Sequence, residues 1–509
     1  MKAYDVLVIG TGFSGTLLAW ILAKAGRSVC MVDTATHPRF ALGESSTPLA
    51  DFLLDRIADE FELEQLRSLS RWGSWQRDMF ELRAGMKRGF SYFQHERGRE
   101  FNETQTHEHS LLVAASASDE VSDTHWMRSD VDHWFFEMAC SAGAKGWLQT
   151  TVAAVSREEH QWKVELSSPA GAESITALEI VDASGASGVL GQALELEKIS
   201  NVLRTKNSVL FGHFQNVAPM SQWLQANGLS EDAPVFDCDD AAQHHLIDDG
   251  WVWMLRFNDG TTSVGLVETS EQGAERQAVS ELGQGQRGER FRATISEYPT
   301  LKSLMENAQL VGPDHGEGAG LGALDGMSRL WSIGAGRGWM MLPSTVGIVD
   351  PLHSTGIAHA LSGVQRVARL LLGTSEAGER VRYGVEVVQE VRWIDRLVAA
   401  AYAAKLIHFS WFNAATCLYF LAAIDCERQM AESGSMQSGF LASDDAELLG
   451  WIRWFERRTQ ALAGVRPKEM RKDLNASLEE FRGFIDRRNE AGFLDPMLLN
   501  RHARSAAPK

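Results

Sequence analysis

Cysteine is scarce in this sequence, which excludes a fold built on disulfide bonds. The 509 residues include five cysteines, at positions 30, 140, 238, 417 and 426, and no Cys-x-x-Cys pair occurs. An odd number of scattered cysteines is typical of a reduced protein inside the cell. The chain enters a short apolar strand at once, and that apolar run is too short for a signal peptide. We therefore expect a cytoplasmic protein.

Positive charge is also in short supply. The chain has 49 Lys and Arg residues against 67 Asp and Glu residues, which gives a formal net charge of -18. A surface this acidic repels the phosphates of nucleic acids and of anionic lipids. We therefore expect no nucleic-acid partner and no membrane partner, although a local site can still bind a small anion.

One apolar run approaches the length of a membrane span. Residues 406–424 carry no formal charge when histidine is neutral. Their polar side chains, which include His408 and Asn413, would be unfavourable at the centre of a bilayer. We therefore expect a buried amphipathic helix whose aromatic side chains can cover an apolar pocket.

The most informative segment is YDVLVIGTGFSGTLLAWILAKAGRSVCMVD, residues 4–33. An apolar strand leads into Gly10, Gly12 and Gly15, which have the Gly-x-Gly-x-x-Gly spacing, and a helical repeat and a second strand follow. Such glycines allow a tight turn, the approach of a pyrophosphate and close helix packing, in that order. Asp33, at the end of the second strand, can accept hydrogen bonds from an adenosine ribose. The pattern predicts a Rossmann-type nucleotide-binding unit, rather than a chance glycine turn, but does not choose between NAD and FAD.

The next segment, HPRFALGESSTP, residues 37–48, is polar and contains Arg39, Gly43, Glu44 and Ser45. Read alone, it is an ordinary polar turn. It resembles the flavin-contacting stretch of the flavin-dependent halogenases, a family within the flavoprotein monooxygenases. The resemblance implies an α/β fold with a Rossmann-type FAD-binding unit, a substrate-side β-sheet and a C-terminal helical region.

Later stretches continue the resemblance in the order of the family. They are RAGMKRGFSYF (83–93), WMRSDVDHWFF (126–136), EIVDASG (179–185), WVWMLR (251–256) and GWMMLPSTVGIVDPLHSTG (338–356). The first resembles the segment with the reactive lysine, here Lys87, and the second places Arg128 near the cofactor. The fourth is similar to the family's Trp-x-Trp-x-Ile-Pro motif, with Trp251 and Trp253 retained and Arg256 in place of proline. The last resembles the flavin and halide loop.

The resemblance implies a halogenase that uses reduced FAD, O2 and chloride or bromide. Hypohalous acid formed at the flavin would travel to Lys87, which either forms a haloamine or holds the acid by hydrogen bonding, and an electron-rich carbon would take the halogen. A lysine needs partial burial to lower its pKa for the first of these roles, and most lysines lie on the surface. The phenol-acting group, which includes phloroglucinol halogenases, looks most similar, so a phenolic or resorcinol-like substrate is expected.

The same resemblance assigns the remaining site residues. Trp251 and Trp253, two residues apart on one face of a strand, would separate flavin from substrate, although aromatic pairs are usually core packing. Asp350 would lie near the flavin ribityl chain, and Thr355 and Gly356 would bind halide, although Ser-Thr-Gly is also a common helix start. His353 replaces the glutamate of tryptophan halogenases, which fits a phenolic substrate or a histidine that only lines the pocket.

Arg256 is the main departure, because it frees a backbone N–H and a φ angle that proline would restrict. We expect it to pair with Asp248, Asp249 or Asp259. Histidines 107, 109, 244 and 245 lack partners at metal-ligand spacing, so surface positions are expected for them and no metal is predicted.

The expected organisation is an FAD-binding unit over residues 1–374 and a helical region over 375–509 that closes the substrate pocket. A substrate-side sheet would use roughly residues 80–150 and 200–310. No NAD(P)H-binding module is visible, so a separate flavin reductase would supply reduced FAD. A homodimer is possible. The alternatives are an aromatic hydroxylase of the same fold and a flavin-binding protein without catalysis.

Overall fold

A computed structural model describes residues 2–269, 277–312, 320–373, 377–486, 488 and 491–503. The strands are β1 Lys2–Ile9, β2 Val29–Val32, β3 Ala84–Lys87, β4 Gly89–Gln94, β5 Ser110–Ala114, β6 Asp123–Trp126, β7 Lys145–Trp147, β8 Thr151–Glu158, β9 Gln161–Ser168, β10 Gly171–Asp182, β11 Asn207–Gln215, β12 Ala241–Ile247, β13 Gly250–Arg256, β14 Thr262–Thr269, β15 Gln309–Val311, β16 Gly322–Asp325, β17 Arg329–Leu330, β18 Ala335–Gly336, β19 Trp339–Met341, β20 Gly347–Ile348 and β21 Arg501–His502.

The α-helices are α1 Phe13–Lys24, α2 Pro48–Glu60, α3 Trp72–Asp78, α4 Arg128–Ser141, α5 Val189–Ala193, α6 Met220–Ala226, α7 Gln284–Ser296, α8 Pro299–Leu304, α9 Pro343–Val346, α10 Gly356–Leu372, α11 Ala377–Lys405, α12 Phe409–Ser433, α13 Ala446–Ala463 and α14 Pro467–Ile485. The distribution is uneven. Strands and helices alternate up to α10, and the chain from α11 to α14 is helical.

The first sheet is the predicted nucleotide-binding sheet. Strands β7, β2, β1, β10 and β19 are adjacent and parallel in that order. Residues Val6–Ile9 and all of β2 are buried, as expected for strands covered on both faces. The hairpin of β8 and β9 adds antiparallel strands to the outer half of β10. Helix α1 packs against α4 and α10 beside this sheet.

The second sheet carries the substrate-side residues. Its order is β15, β11, β14, β13, β12, β4, β5 and β21, with β16 also paired to β11. Alternate residues of β13 enter different cores, with Trp251 and Trp253 in one and Val252 and Met254 in the other. We call the face that carries Trp251 and Trp253 the site face.

The boundaries predicted for the second sheet were partly wrong. Strands β4, β5 and β11 to β14 fall within the expected ranges, but β16 (Gly322–Asp325) and β21 (Arg501–His502) do not. Strand β21 comes from the C-terminal region and pairs in parallel with β5. A strand of two residues has no periodicity to detect, so only its pairing reveals it.

The long apolar helix α12 lies within the fold, as predicted. It is long and apolar enough to cross a membrane, but 83% of its most apolar window is buried inside the molecule. It begins at Phe409, later than the apolar run suggested, because the side chain of His408 accepts a 3.1 Å hydrogen bond from the backbone N–H of Ser410 and caps the helix. Helix α12 packs against α11, α2, α13 and α14.

Candidate functional site

The glycine turn after β1 has the geometry that a pyrophosphate requires. Gly10 has φ +104°, and a Cβ there would lie 2.5 Å from the carbonyl oxygen of Ala183, in the predicted turn after β10. A Cβ on Gly15 would lie 2.3 Å from the carbonyl oxygen of Gly10. At Gly12 the nearest atom is 3.7 Å away, on Asp132, so space remains in front of the amino end of α1. These residues fit a dinucleotide phosphate group.

Asp33 and Arg39 meet at the end of β2. The guanidinium of Arg39 contacts both carboxylate oxygens of Asp33, at 2.6 and 2.7 Å, and the backbone N–H of Thr11 donates to the same carboxylate at 2.7 Å. Burial alone would raise the pKa of Asp33, but these hydrogen bonds outweigh burial and lower it. Asp33 therefore stays ionised, and a ribose would share it with Arg39.

Arg128 joins the glycine turn to the polar segment 37–48. Its guanidinium donates to both oxygens of Asp132, at 2.8 and 2.9 Å, and to the carbonyl oxygens of Leu42 and Gly43, at 2.6 and 2.9 Å. Its Nη2 lies 3.9 Å from the position of a Cβ on Gly12. The structure thus brings Arg128 to the predicted cofactor side, although Asp132 holds much of its charge.

Glu44 and Ser45 connect this segment to the rest of the site. Glu44 is buried, and its Oε1 lies 2.6 Å from Nε2 of His213 on β11. The Ser45 hydroxyl accepts a 3.0 Å hydrogen bond from the hydroxyl of Ser354, in the predicted flavin and halide loop. Two of the stretches that are distant in sequence are therefore in direct contact.

Asp350 is enclosed by hydrogen-bond donors. Its carboxylate accepts from the hydroxyl of Tyr402 at 2.8 Å, from the backbone N–H of Leu352 at 2.8 Å and from the side-chain amide of Asn207. Burial raises its pKa to about 7, against the effect of these donors. Asp350 is thus held by protein groups, which fixes the loop around residue 350 to β11 and to α11.

The predicted halide residues form the start of a helix. Helix α10 begins at Gly356, where an added Cβ would meet nothing within 4 Å. The hydroxyl of Thr355 lies 3.0 Å from that of Tyr419 and does not cap the helix. The first amides of α10 are therefore not capped by Thr355, and a helix of this length presents a partial positive charge there.

Lys87 is completely buried, so the alternative of a surface lysine is wrong. It ends β3, its Nζ donates to the carbonyl oxygen of Ser46, and Nζ lies 4.0 Å from the centre of the Phe90 ring. His125 and His244 lie close by. Burial first, and the charge of Lys87 second, lower the pKa of each histidine to about 3. Two neutral imidazole rings therefore lie close to the lysine.

Trp251 and Trp253, which we call the tryptophan pair, occupy the middle of the site face. Their ring centres are 5.9 Å apart. The indole N–H of Trp251 donates to the hydroxyl of Tyr402 at 2.6 Å, and that of Trp253 donates to the hydroxyl of Ser263 at 3.1 Å. A Cβ on Gly265 would lie 2.1 Å from the Trp253 ring, so the adjacent strand needs glycine there.

The sheet order shows what the tryptophan pair separates. Strand β11, with Asn207 and His213, lies on one side of β13, beyond β14. Strand β4, with Phe90 beside Lys87, lies on the other side, beyond β12. Asn207 and His213 contact the two predicted flavin segments. Along the sheet, the pair therefore lies between Asn207 and His213 on one side and Phe90, beside Lys87, on the other.

Arg256 does not pair with any of the three acids that were expected. Its guanidinium instead donates to Asp239 at 2.8 Å and to the carbonyl oxygens of Val217 and Ala218 at 3.0 and 2.7 Å. The expected acids pair with other arginines: Asp248 and Asp249 with Arg97, and Asp259 with Arg83. Arg256 is an odd number of residues from both tryptophans, so its side chain leaves the opposite face of β13.

Three neighbouring ligand-type side chains lie near Arg256. Asp237, Cys238 and Asp239 have potential ligand atoms within 4.8 Å of one another. Asp239 already accepts from Arg256 and from the first amides of α6, at Met220 and Ser221. Burial raises the pKa of the Cys238 thiol, which opposes the thiolate form that binds metals. The contacts of Asp239 are therefore those of a cap on α6.

His353 lies among aromatic rings. It is fully buried, its ring stacks on Tyr419 with centres 4.2 Å apart, and its Nδ1 lies 3.4 Å from the hydroxyl of Tyr92. Its Nε2 has no hydrogen-bond partner among the described residues. Burial lowers its pKa to about 3, so the ring is neutral at physiological pH. A neutral imidazole can accept or donate one further hydrogen bond through Nε2.

A small pocket, of about 30 Å³, opens at Phe90, the residue whose ring contacts Lys87, on the side of the sheet away from β11. Its walls include Phe90, Tyr419, Phe420, Glu427 and Phe493, and Thr47 and Pro48, adjacent to the Ser46 that Lys87 contacts, also line it. The ring of Phe493 stacks on that of Phe420 with centres 6.0 Å apart. Residues of the C-terminal region therefore form one wall of this pocket.

A larger cavity, of about 360 Å³, lies on the other face of the second sheet. Arg97, Glu268, Arg290 and Tyr298 are among its walls, and none of the predicted site residues line it. Its charged walls are ion-paired: Arg290 with Glu268, and Arg97 with Glu297. Size alone therefore does not locate the site.

Several residues of the site were not found from the sequence. His244 and His245, expected on the surface, are buried in β12 on opposite faces, because alternate residues of a strand point apart. Tyr402 and Glu427 come from long helices in which no motif marks them. The burial of His244 could have been inferred from the apolar residues around it in β12, but its contact with the lysine side depends on strand pairing.

No family model matches this chain. Among characterised proteins it is similar to the tetracycline 7-halogenase of Kitasatospora aureofaciens, with 25% identity over 437 residues, 83% of this chain and 74% of that protein. It is also similar to the monodechloroaminopyrrolnitrin halogenase PrnC of Pseudomonas fluorescens, with 26% identity over 255 residues, 50% of this chain and 43% of that protein.

Solved structures share the fold. The halogenase PltM superposes with a TM-score of 0.83 at 21% identity, over 97% of this chain and 99% of that one. PltM in complex with phloroglucinol and FAD gives 0.81 at 21% identity, over 99% of each chain. The flavin-dependent brominase Bmp2 gives 0.59 at 17% identity, over 90% of this chain and 100% of that one.

The fold and the glycine turn define an α/β protein with a Rossmann-type dinucleotide-binding unit, and the same fold occurs in PltM solved with FAD. The sequence relatives narrow this class. They are halogenases, several of them flavin-dependent, and the chain is similar to them over as much as 83% of its length.

Proposed function

We propose that this protein uses reduced FAD to install chlorine or bromine on a phenolic or resorcinol-like aromatic bound beside Lys87. One observation supports the proposal: along the sheet, the tryptophan pair lies between Asn207 and His213, which contact Asp350 and Glu44, and Phe90, which lies beside Lys87 and lines the pocket. A substrate in that pocket would be kept from the flavin, while a small neutral oxidant could pass between them.

The glycine turn and the residues around Arg128 would hold FAD. The proposed cofactor residues are Gly10, Gly12, Gly15, Asp33, Arg39, Gly43, Glu44, Ser45, Arg128 and Asp350. Bound reduced FAD supplies the electrons that activate O2, so that halide is converted to hypohalous acid. Amides at the start of α10, at Thr355 and Gly356, would hold the halide anion, since an uncapped helix start attracts negative charge.

Lys87 would deliver the halogen. Its amine either exchanges a proton for the halogen of hypohalous acid, releasing water, or holds the intact acid by hydrogen bonding. In both cases a ring carbon of the substrate forms the carbon–halogen bond and then loses its proton. The complete burial of Lys87 and its contact with the Phe90 ring, which also lines the pocket, support this role.

His353 supports a phenol as the substrate. With a pKa of about 3 it is too weak a base to remove a proton from an unactivated ring. Its neutral Nε2 can accept a hydrogen bond from a phenol hydroxyl, and an electron-rich phenol requires little more. Four aromatic side chains line the pocket, and PltM, which shares the fold, has been solved with phloroglucinol and FAD.

The cellular setting is also part of the proposal. None of the five cysteines forms a disulfide, which suits a cytoplasmic protein. A separate flavin reductase would supply reduced FAD, and the protein could act as a homodimer.

Product mass spectrometry tests this function. The assay contains the protein, FAD, a flavin reductase with NADH, chloride or bromide, and a panel of phenols beside tryptophan. A halogen isotope pattern is expected on a phenol, and Lys87→Ala should reduce that product by at least about 10³-fold, as loss of a group that handles the reacting atom does. Lys302→Ala, an exposed lysine on α8, is the control and should leave the product unchanged.

Other outcomes identify the alternatives. A product with added oxygen and no halogen would show an aromatic hydroxylase. FAD binding without any product from the panel would favour a flavin-binding protein without catalysis. The position of Arg256 on the face opposite the tryptophan pair removes the main reason to expect that last outcome.

A further inference from the structure

A chain of hydrogen bonds crosses from the tryptophan pair to the predicted flavin loop. The indole N–H of Trp251 donates to the hydroxyl of Tyr402 at 2.6 Å, and that hydroxyl lies 2.8 Å from Oδ2 of Asp350. Tyr402 belongs to α11, in the C-terminal helical region. One side chain outside both motifs therefore contacts both of them.

The direction of these hydrogen bonds is fixed by chemistry. An indole N–H can only donate, so the Tyr402 oxygen accepts from Trp251. The single hydroxyl proton is then directed to Asp350. Burial, followed by the charge of Asp350, raises the pKa of Tyr402, so this proton is retained at physiological pH. The hydrogen bond to Tyr402 therefore stabilises the observed orientation of the Trp251 ring.

The same helix holds the backbone next to Trp251. One turn after Tyr402, the Nζ of Lys405 donates to the carbonyl oxygens of Gly250 at 2.8 Å and of Asp248 at 3.1 Å. Residues three apart share one face of a helix, so both contacts come from one surface of α11. The start of β13 and the first indole of the pair are thus both attached to α11.

We propose that Tyr402 is a positioning residue that holds Trp251 in place between the flavin side and the lysine side. This rests on the proposed function, since the tryptophan pair must separate two compartments for its position to matter. Tyr402 takes no part in bond making. Its loss would let the Trp251 ring turn, so that oxidant escapes before it reaches Lys87.

The test compares Tyr402→Phe with Tyr383→Phe. Tyr383 is another tyrosine of α11, but its hydroxyl donates to the carbonyl oxygen of Met341 at 2.8 Å and has no contact with the tryptophan pair. The measured quantity is coupling, the fraction of NADH consumed that appears as halogenated product. Coupling should fall by about tenfold in Tyr402→Phe, comparable to the loss of one hydrogen bond, and remain near the wild-type value in Tyr383→Phe.

A second readout does not depend on activity. In protein labelled with 5-fluorotryptophan, the fluorine resonance of Trp251 can be assigned by its disappearance in Trp251→Phe. We expect that resonance to shift and broaden in Tyr402→Phe and to stay unchanged in Tyr383→Phe. This measurement still judges the role of Tyr402 if no phenol is halogenated, so failure of the proposed function and failure of this inference are distinguishable.

Two results would overturn the inference. The first is an unchanged Trp251 resonance in Tyr402→Phe. The second is additivity: if Tyr402 acts through Trp251, the double variant Trp251→Phe with Tyr402→Phe should lose no more coupling than Trp251→Phe alone. Fully additive losses would mean that the two residues act separately.

Discussion

The candidate site holds polar groups in two different ways, one near the glycine turn and the other near Lys87. On the flavin side, charged groups are paired, as in Arg39 with Asp33 and Arg128 with Asp132. On the lysine side, the buried ionisable rings His125, His244 and His353 are kept neutral, with pKa values lowered to about 3. The first arrangement suits the binding of a charged cofactor, and the second suits an amine that must react with a neutral oxidant.

This difference shows that burial alone does not define the chemistry of a site. Asp132 and His353 are both fully buried. Asp132 has a guanidinium in bidentate contact, whereas His353 has neighbouring rings and one weak contact to a hydroxyl. A buried charge persists where a partner of opposite charge is in contact, and otherwise the neutral form prevails.

The largest expected effect comes from breaking a charge pair on the flavin side. Arg128→Met would leave the carboxylate of Asp132 buried without its guanidinium. We expect the free energy of unfolding to fall by about 3 kcal/mol or more and FAD affinity to fall with it. Denaturant unfolding and flavin fluorescence measure the two quantities. The double variant Arg128→Met with Asp132→Leu should recover much of the stability, and if it does not, the pair is not the cause.

A smaller effect is expected in the pH dependence of the free energy of unfolding. Its sign should differ between Asp350 on the flavin side and the histidines on the lysine side. Asp350 has a pKa of about 7 in the fold against about 4 when unfolded, so between these values the folded state holds a proton that the unfolded state releases. Stability from this group should therefore decrease as pH rises from 4 to 7, by up to about 1.4 kcal/mol per pH unit. Asp350→Asn should remove that slope.

The buried histidines should act in the opposite direction. Their folded pKa values of about 3 lie below the unfolded value, so the unfolded state binds more protons below about pH 6.5 and stability is lost as pH falls. His353→Gln should weaken this acid sensitivity, whereas His160→Gln, at an exposed position, should not. Urea unfolding between pH 5 and 8 measures both slopes. Equal slopes in wild type and His353→Gln would contradict the account of the lysine side.

The smallest effect is expected at the C-terminal wall of the pocket. Phe493→Ala would remove the ring that stacks on Phe420 and widen the pocket beside Lys87. We expect kcat/KM for a small phenol to fall by about tenfold and that for a bulkier naphthol to fall less or to rise. Phe80→Ala, at a side chain that is 67% exposed, is the matched control and should change neither. If the ratio of kcat/KM for the two substrates is unchanged in Phe493→Ala, Phe493 does not contact the bound substrate.

The site features that could be predicted from the sequence are those set by residues close together in the chain. Gly10 and Gly15 were predicted because a turn between a strand and a helix has room only for hydrogen at these positions, and the structure shows the close contacts. The tryptophan pair was predicted to share one face because strand residues two apart do so. The role of Lys87 came from resemblance, and its complete burial was beyond what its neighbours indicated.

The parts that were wrong or missed depend on which strands and helices pair. Arg256 was assigned to acids near it in sequence, but it extends from the opposite face of β13 and reaches Asp239, which also caps α6. Strand β21 joins the second sheet from the far end of the chain. Contacts of this kind are set by packing between elements, which local propensity does not encode.

The sequence by itself determined the glycine turn after β1 and the placement of both tryptophans on one side of a strand. Each of these follows from residue type and from the period of a helix or strand. Only the tertiary structure decided that the pair lies between Asn207 and Phe90 along the sheet, that Tyr402 links Trp251 to Asp350, and that Phe493 lines the pocket. These depend on sheet order and on the docking of α11, which bring together side chains that are up to several hundred residues apart.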